Sequence, residues 1–379
     1  MTRWAKDVSP TNVHPEYPRP QMVREKWTNL NGLWDYAVRP AAEKQPDKWD
    51  GQILVPFPIE SALSGVMKRV ATTDGLWYHR TFKSPDLKDG RRLLLHFGAV
   101  DWHCDVSVNG KKVGEHTGGY DPFTFDVTDA LDKAKSEQEL VVSVADPSDT
   151  NWQPRGKQVR EPKGIWYTPT TGIWQTVWLE EVPQSYIDHL TIRADVDRGD
   201  VEITVHSVGP GKEVLVGVVD GGTFVTTMTK RPANEPIRIP VRNPKLWSPD
   251  SPTLYEVQAR LFDGTTLADS VTSYVAFRKI SLGKDEHGIT RMMLNNKPVF
   301  QWGPLDQGFW PDGLYTAPTD AAMKYDLEVT KQLGFNMIRK HVKVEPARWY
   351  HYCDQMGILV WQDMPSGDKH ATWSPLGIH

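Results

Sequence analysis

The sequence has little cysteine, no long apolar run and no block of like charge. Its two cysteines, Cys104 and Cys353, fall in different predicted domains and have no metal-ligand spacing around them. That argues against a disulfide framework and against a bound metal. No stretch is long enough to cross a bilayer, and Met1-Thr2-Arg3-Trp4 opens no secretory signal. No Asn-x-Ser/Thr acceptor occurs either, so a cytoplasmic, reducing compartment is the expectation. The 44 basic and 48 acidic residues are interspersed and leave a net charge of -4. Neither nucleic acid nor a membrane is expected as a partner, and no cofactor is expected.

What the chain has in quantity is tryptophan, sixteen in 379 residues. Indoles serve packed cores and sugar-stacking faces alike, so their number alone assigns no role. The length suits two or three domains. From Leu30 to Val182, short alternating runs such as Leu93–Phe97, Cys104–Val108 and Leu140–Val144 are separated by turn residues. Asn109-Gly110 is a two-residue hairpin signal, and eight or nine strands in this span suit a jelly-roll sandwich over 1–182. Pro183 opens a second β segment, 183–277, with strands expected near Ile187–Arg193, Asp200–Ser207, Glu213–Asp220, Ile237–Pro240 and Tyr255–Phe262. It fits an immunoglobulin-like sandwich without a cysteine pair.

The pattern changes over 278–379. Pro298–Gly303 reads as a buried strand, followed by a Gly- and Pro-rich loop. A helix then runs from Asp320, the expected N-cap, to Leu333, with Met323, Leu327 and Leu333 inward. Gly334 and the strand Phe335–Arg339 follow. A second helix, Pro346 to Met356, meets Gly357 and the strand Ile358–Asp363. Helix, glycine, apolar strand, twice over, is the opening of a (β/α)8 TIM barrel. The expected fold is therefore multidomain and mainly β, with the first strands and helices of a barrel at the end.

This order of domains resembles glycoside hydrolase family 2, the β-galactosidase, β-glucuronidase and β-mannosidase group. The resemblance rests on Leu30-Asn31-Gly32-Leu33-Trp34, Val55-Pro56-Phe57-Pro58, Leu76–Arg80, Gly119–Thr128, Thr171–Gln175, Leu246–Pro249, Phe277–Ile280, Asn295–Val299, Gly334–Arg339 and Trp349–Asp354. It implies a retaining exo-β-glycosidase of carbohydrate metabolism acting on a β-linked oligosaccharide or glycoside. That reaction uses two carboxylates about 5 Å apart. In the family these are glutamates on later barrel strands. The single Asn-Glu pair here, Asn234-Glu235, reads as a solvated turn, and only fourteen residues follow Pro365. No catalytic residue is therefore assigned, and the chain alone is expected to be inactive. The alternatives are a non-catalytic carbohydrate-binding or interaction protein, or one half of a split glycosidase. A homo-oligomer or a complementing chain is the implied protein partner.

Barrel sites form at the C-terminal ends of strands. Asp363 and Trp361 end the second helix-preceded strand in the mannosidase-like Trp361-Gln362-Asp363, and Arg339 and His341 end the first. Asp363 can accept sugar hydroxyls beside the Trp361 face, or pair with Arg339 or Lys340. Asp306, Trp310 and Asp312 are placed on the rim loop, with Trp302 at its start. Trp102, Trp152 and Trp166 lie on or beside jelly-roll loops, with packing favoured over stacking on sugar. Where the family has Arg-x-Ser-His-Tyr-Pro, this chain reads Arg339-Lys340-His341-Val342-Lys343. Where galactosidases often carry an acid, it reads Tyr167-Thr168-Pro169. The sugar is left open.

Overall fold

The structure is a computed structural model that describes residues 1–226 and 230–367. It is mainly β, with two α-helices among the described residues. The first part is a sandwich of a six-stranded and a four-stranded sheet. The larger runs Gly51–Val55, Gly32–Pro40, Asp74–Lys83, Glu137–Ala145, His103–Val108, Lys111–Thr117 in spatial order. The smaller runs Trp27–Asn29, Val177–Val182, Arg92–Phe97, Phe123–Asp126. Alternation decides which face is buried: Cys104, Val106 and Val108 point in, while His103, Asp105 and Ser107 do not. Trp34, Tyr78, Leu95, Phe97, Val142 and Val177 from both sheets share one core. Asn109 and Gly110 both take positive φ, 50° and 75°, which closes the expected hairpin between Val108 and Lys111.

A second sandwich packs Tyr186–Asp195, Asp200–Val208 and Pro236–Pro240 against a sheet centred on Glu213–Asp220 and Tyr255–Asp263. Its core is Val- and Ile-rich, including Ile203, Val205, Val216, Val218 and Val257. The strand Thr266–Val275 was not expected. Its Thr, Asp and Ser residues mask an alternation that still buries Val271, Ser273 and Val275, and Asp263-Gly264 supplies its turn. Asn234, φ 64°, sits in the exposed turn between Lys230–Pro232 and Pro236–Pro240. The Asn234-Glu235 pair is therefore a turn.

The expected strand over Pro298–Gly303 does not form. Lys297–Pro298 instead closes an antiparallel meander with Ile280–Lys284 and Thr290–Leu294. Parallel pairing begins only at Leu305–Asp306. Two prolines flank the intervening segment and cannot donate to a ladder. At Gly303 the backbone passes so close to Met337 that an added Cβ would lie 1.7 Å from its carbonyl oxygen. The Asn336 side chain replaces ladder bonds, accepting from Trp302 N at 3.0 Å and donating to Phe300 O at 2.9 Å. Phe300 is consequently 84% exposed.

The parallel sheet orders Leu305–Asp306, Met337–Lys340, Leu359–Gln362, with Arg339 between Leu305 and Trp361 in register. Helix α1, Asp320–Gln332, is capped by Thr319, which accepts from Ala322 N. Asp320, the expected N-cap, is one position inside the helix. It is buried and bonded to Arg348, Lys324 and the Tyr352 hydroxyl. Met323 and Leu327 face inward, but Leu333 follows the last helical residue and is 64% exposed. Helix α2, Ala347–Met356, buries Trp349, Tyr352 and Cys353 and stops at Gly357 in the left-handed region. Both cysteines are buried and free.

Candidate functional site

Strand alternation divides the side chains of Met337–Lys340 between two surroundings. Ile338 and Lys340 point to the helices: Ile338 joins the core with Leu327 and Trp349, and the Lys340 ammonium lies 4.4 Å from the Trp349 ring. Arg339 therefore takes the opposite face, beside Leu305 and Trp361, where all three are exposed.

At the strand ends three predicted residues meet. Arg339 donates from Nε to both Asp363 oxygens at 3.1 Å and from Nη2 at 3.0 Å. His341 Nδ1 is 2.6 Å from Asp363 Oδ2, which leaves its Nε2 for another partner. The Arg339 bonds, reinforced by His341, hold the Asp363 carboxyl below the ordinary carboxylate range. Asp363 is thus a charged acceptor in a fixed orientation with solvent on one side. Trp361, two residues earlier in the chain, is 40% exposed, with Nε1 donating to Gln301 Oε1 at 2.6 Å.

The remaining predicted residues do not join this group. Asp306 holds Lys340 Nζ at 2.5 Å on Oδ2 and the Gly308 N–H at 2.7 Å on Oδ1. Trp310 is half-buried against the helix core and meets Trp4 edge-on at 6.0 Å. Asp312 is fully buried and anchors the chain start, accepting from Thr2 N and Oγ1 at 2.7 Å. Trp302 precedes the Leu305–Asp306 strand and pairs with Asn336, at the opposite end of the sheet from Asp363. The rim positions expected for Asp312 and Trp302 are therefore corrected. The Trp302 position followed from placing the strand several residues too early, whereas Asp312 is on the loop after the strand but turned inward to Thr2.

Beneath the cluster is an ion network that sequence reading missed. Lys340, 1% exposed, reaches Glu345 at 2.8 Å as well as Asp306. Burial opposes its charge, but Glu345 and Asp306 outweigh that and hold its pKa above the usual lysine value. Lys343, fully buried, reaches Glu345 at 2.9 Å and donates to Gly308 O and Tyr315 O at 2.7 and 2.8 Å. Desolvation pushes it down to about 8 despite Glu345. Together the two lysines tie the 306–315 loop to the end of Met337–Lys340. Only the spacing of Lys340, Lys343 and Glu345 in one short loop hinted at this, since their partners are distant in sequence.

The first sandwich contributes a wall. Gly156, φ 60°, passes so close to Val342 that an added Cβ would lie 2.5 Å from its carbonyl oxygen. Tyr167 stacks on Phe309 at 4.0 Å. A cleft of about 350 Å³ opens between this sandwich, the N-terminal segment and Val344–Arg348. His14, Tyr120, Trp174 and Trp178 line it, but not Arg339, His341 or Asp363, so it is separate from the cluster.

Two family models match the chain: glycosyl hydrolase 2 galactose-binding domain-like over 65–174, and glycosyl hydrolases family 2 over 185–278. The chain belongs to glycosyl hydrolase family 2. Among family 2 relatives it is 27% identical to a putative β-glucuronidase of Formosa agariphila, over 79% of this chain and 36% of that protein. It is also 27% identical to a β-galactosidase of Thermoanaerobacter pseudethanolicus, over 76% of this chain and 39% of that one. The chain thus spans well under half the length of these two relatives. In fold it resembles the β-glucuronidase of Ruminococcus gnavus, with a TM-score of 0.74 at 18% identity, covering 93% of this chain and 61% of that one. Both family 2 model matches fall on the sandwiches, so Asp306 to Asp363 lie outside them.

Proposed function

We propose that the chain is the glycone-recognising part of a retaining exo-β-glycosidase acting on a β-linked galactoside or glucuronide. In this reading 1–182 is a jelly roll, 183–277 an immunoglobulin-like sandwich, and 278–379 the opening of a (β/α)8 barrel, whose parallel pairing begins at Leu305. Relatives named β-galactosidase and β-glucuronidase support the substrate class. One observation carries the reading. Asp363 is charged, held by Arg339 and His341, two residues after the exposed Trp361, and at the C-terminal ends of parallel strands.

The cluster suits sugar recognition rather than bond cleavage. Arg339 Nε, Arg339 Nη2 and His341 Nδ1 occupy three of the four lone pairs of the carboxylate, and the one left on Oδ1 can accept from a sugar hydroxyl. Trp361 offers an apolar face to a pyranose ring. Double displacement needs two carboxyl groups about 5 Å apart. Among the described residues, Asp363 has no second carboxyl partner in its hydrogen-bonded cluster, which consists of Arg339 and His341. The 379 residues are therefore expected to bind a glycoside without turning it over.

Titration calorimetry with phenyl β-galactoside and phenyl β-glucuronide tests this. One of them should bind, and Asp363→Asn should weaken it by about 10- to 100-fold, the range for a hydrogen bond to a charged group. Binding that ignores this substitution would refute the assignment. Release of phenol by the purified chain would refute the purely recognising role.

A further inference from the structure

The loop 146–172 of the first sandwich leaves large apolar side chains in water and is joined to the chain just beyond Asp363. Trp152 is 51% exposed, Ile165 64% and Trp166 39%. Apolar area of this kind is ordinarily covered in a protein with a rich core, and clusters of it mark binding sites. The loop is also fixed rather than loose. Arg155 N and Gly156 N both donate to Ser366 O at 2.9 Å, and Trp152 O packs against Gly367. Val159 N donates to Tyr167 O at 3.0 Å and Tyr167 N to Lys157 O at 2.9 Å, closing the tip that presents Ile165 and Trp166. Gln158, buried, ties the base to Asp101 at 2.8 Å and accepts from Thr170 N. The Tyr167 ring on Phe309 joins the tip to the rim loop.

Distance links this loop to Asp363. Ser366 lies three residues beyond it, a span of at most about 11 Å of extended chain. A ligand whose sugar occupied the Arg339–Asp363–His341 cluster would therefore reach the loop with whatever the sugar is attached to. We propose that Trp152 and Trp166 form a platform for the aglycone, and that they select glycosides whose leaving side presents a flat apolar face. An aryl group and the CH face of a second pyranose share that chemistry. The inference rests on the proposed glycoside-binding reading of the cluster and adds to it where the far side of the ligand goes. Rigid indoles on a pinned loop suit the task, because little side-chain freedom is lost when they are covered.

The test compares dissociation constants for the methyl, phenyl and glucosyl β-glycosides of whichever sugar the chain binds. Calorimetry would use the wild type, Trp152→Ala, Trp166→Ala and the corresponding Phe variants. The wild type should bind the phenyl or the glucosyl form at least about tenfold more tightly than the methyl form. The alanine variants should bring that ratio toward one, and the Phe variants should restore much of it. Exposed positions tolerate such changes, so unaltered thermal midpoints should accompany the loss. Which of the two larger ligands gains more tells an aryl from a pyranose platform. A wild-type ratio near one, or a ratio that the alanine variants leave intact, overturns the platform while leaving the cluster assignment standing. Binding of no glycoside at all overturns both.

Discussion

Arg24→Met is expected to destabilise the protein by about 3–5 kcal/mol, the cost of leaving buried charge without its partner. Arg24 is 6% exposed and sits where the two sandwiches meet. Its Nη1 holds both Asp269 oxygens at 2.6 and 2.7 Å, and its Nε lies 3.1 Å from Glu180 Oε2. Glu180 belongs to the first sandwich and Asp269 to the second, so one guanidinium joins them. Glu180 keeps Arg19 at 3.1 Å and the Tyr17 hydroxyl at 2.6 Å, whereas Asp269 would retain neutral donors such as Ile187 N. The larger part of the loss should therefore come from Asp269. At roughly 2–4 °C per kcal/mol for a unit of this size, the thermal midpoint should fall by roughly 10 °C. Arg24→Met combined with Asp269→Leu should recover much of that, because an apolar pair replaces a broken ionic one. A shift of only a degree or two in the single variant would show that the junction does not depend on this residue.

That junction also marks what a linear reading could and could not find. Strand alternation placed most of both sandwiches, since one buried face leaves a period of two in the sequence. The glycines after α1 and α2 placed the parallel strands for the same local reason. Arg24, Glu180 and Asp269 carry no such signal, as each is a lone charge in its own segment. The candidate site divides along this line. Arg339, His341 and Asp363 lie at the ends of strands that periodicity marks, and they come together as hydrogen-bonded partners. Trp302 was misplaced because two prolines and a close backbone approach at Gly303 delay strand pairing until Leu305, and Asp312, on the expected loop, is buried by a partner, Thr2, that is 310 residues away in sequence. The Lys340–Lys343–Glu345 network binds a loop some thirty residues away, and nothing local announces its partners.

Raising the pH from 5 to 9 should weaken the first sandwich, with Glu60 as the main titrating group. Desolvation lifts Glu60 to about 8, against the pull of Thr171, whose N–H donates to Oε2 at 3.0 Å. Two further carboxyls share this interior. Asp101 is raised well above its ordinary value by burial and by Asp146, and Asp146 is raised by burial despite its bonds to Ser148 and Thr171. A carboxyl whose folded pKa exceeds its unfolded one lends stability that is complete below the unfolded value, near 4.5. That stability is lost as the pH rises through the folded value, here about 8. At about 1.4 kcal/mol for each pH unit between the two, the upper bound is about 5 kcal/mol, and water entering around the charged form brings the expected loss nearer about 2–3 kcal/mol. Glu180 opposes this trend at the acid end. Burial would raise it, but Arg19 and its other partners hold it lowered, so its contribution fades as the pH falls below 4.5. The thermal midpoint should therefore peak near pH 4.5 to 5, decline up to about pH 8 and change little from there to pH 9. Glu60→Gln keeps a neutral side chain of the same shape beside Thr171, so it should flatten the alkaline limb and leave the acid limb unchanged. Tryptophan fluorescence melts across this range decide the matter. An alkaline limb equally steep in wild type and variant would assign the titration to Asp101 and Asp146 instead. The loop 146–172 is anchored through Thr171 and Gln158 to these same carboxyls. Its Ser366 contacts should therefore loosen over the same alkaline range, and glycoside binding should decline with them.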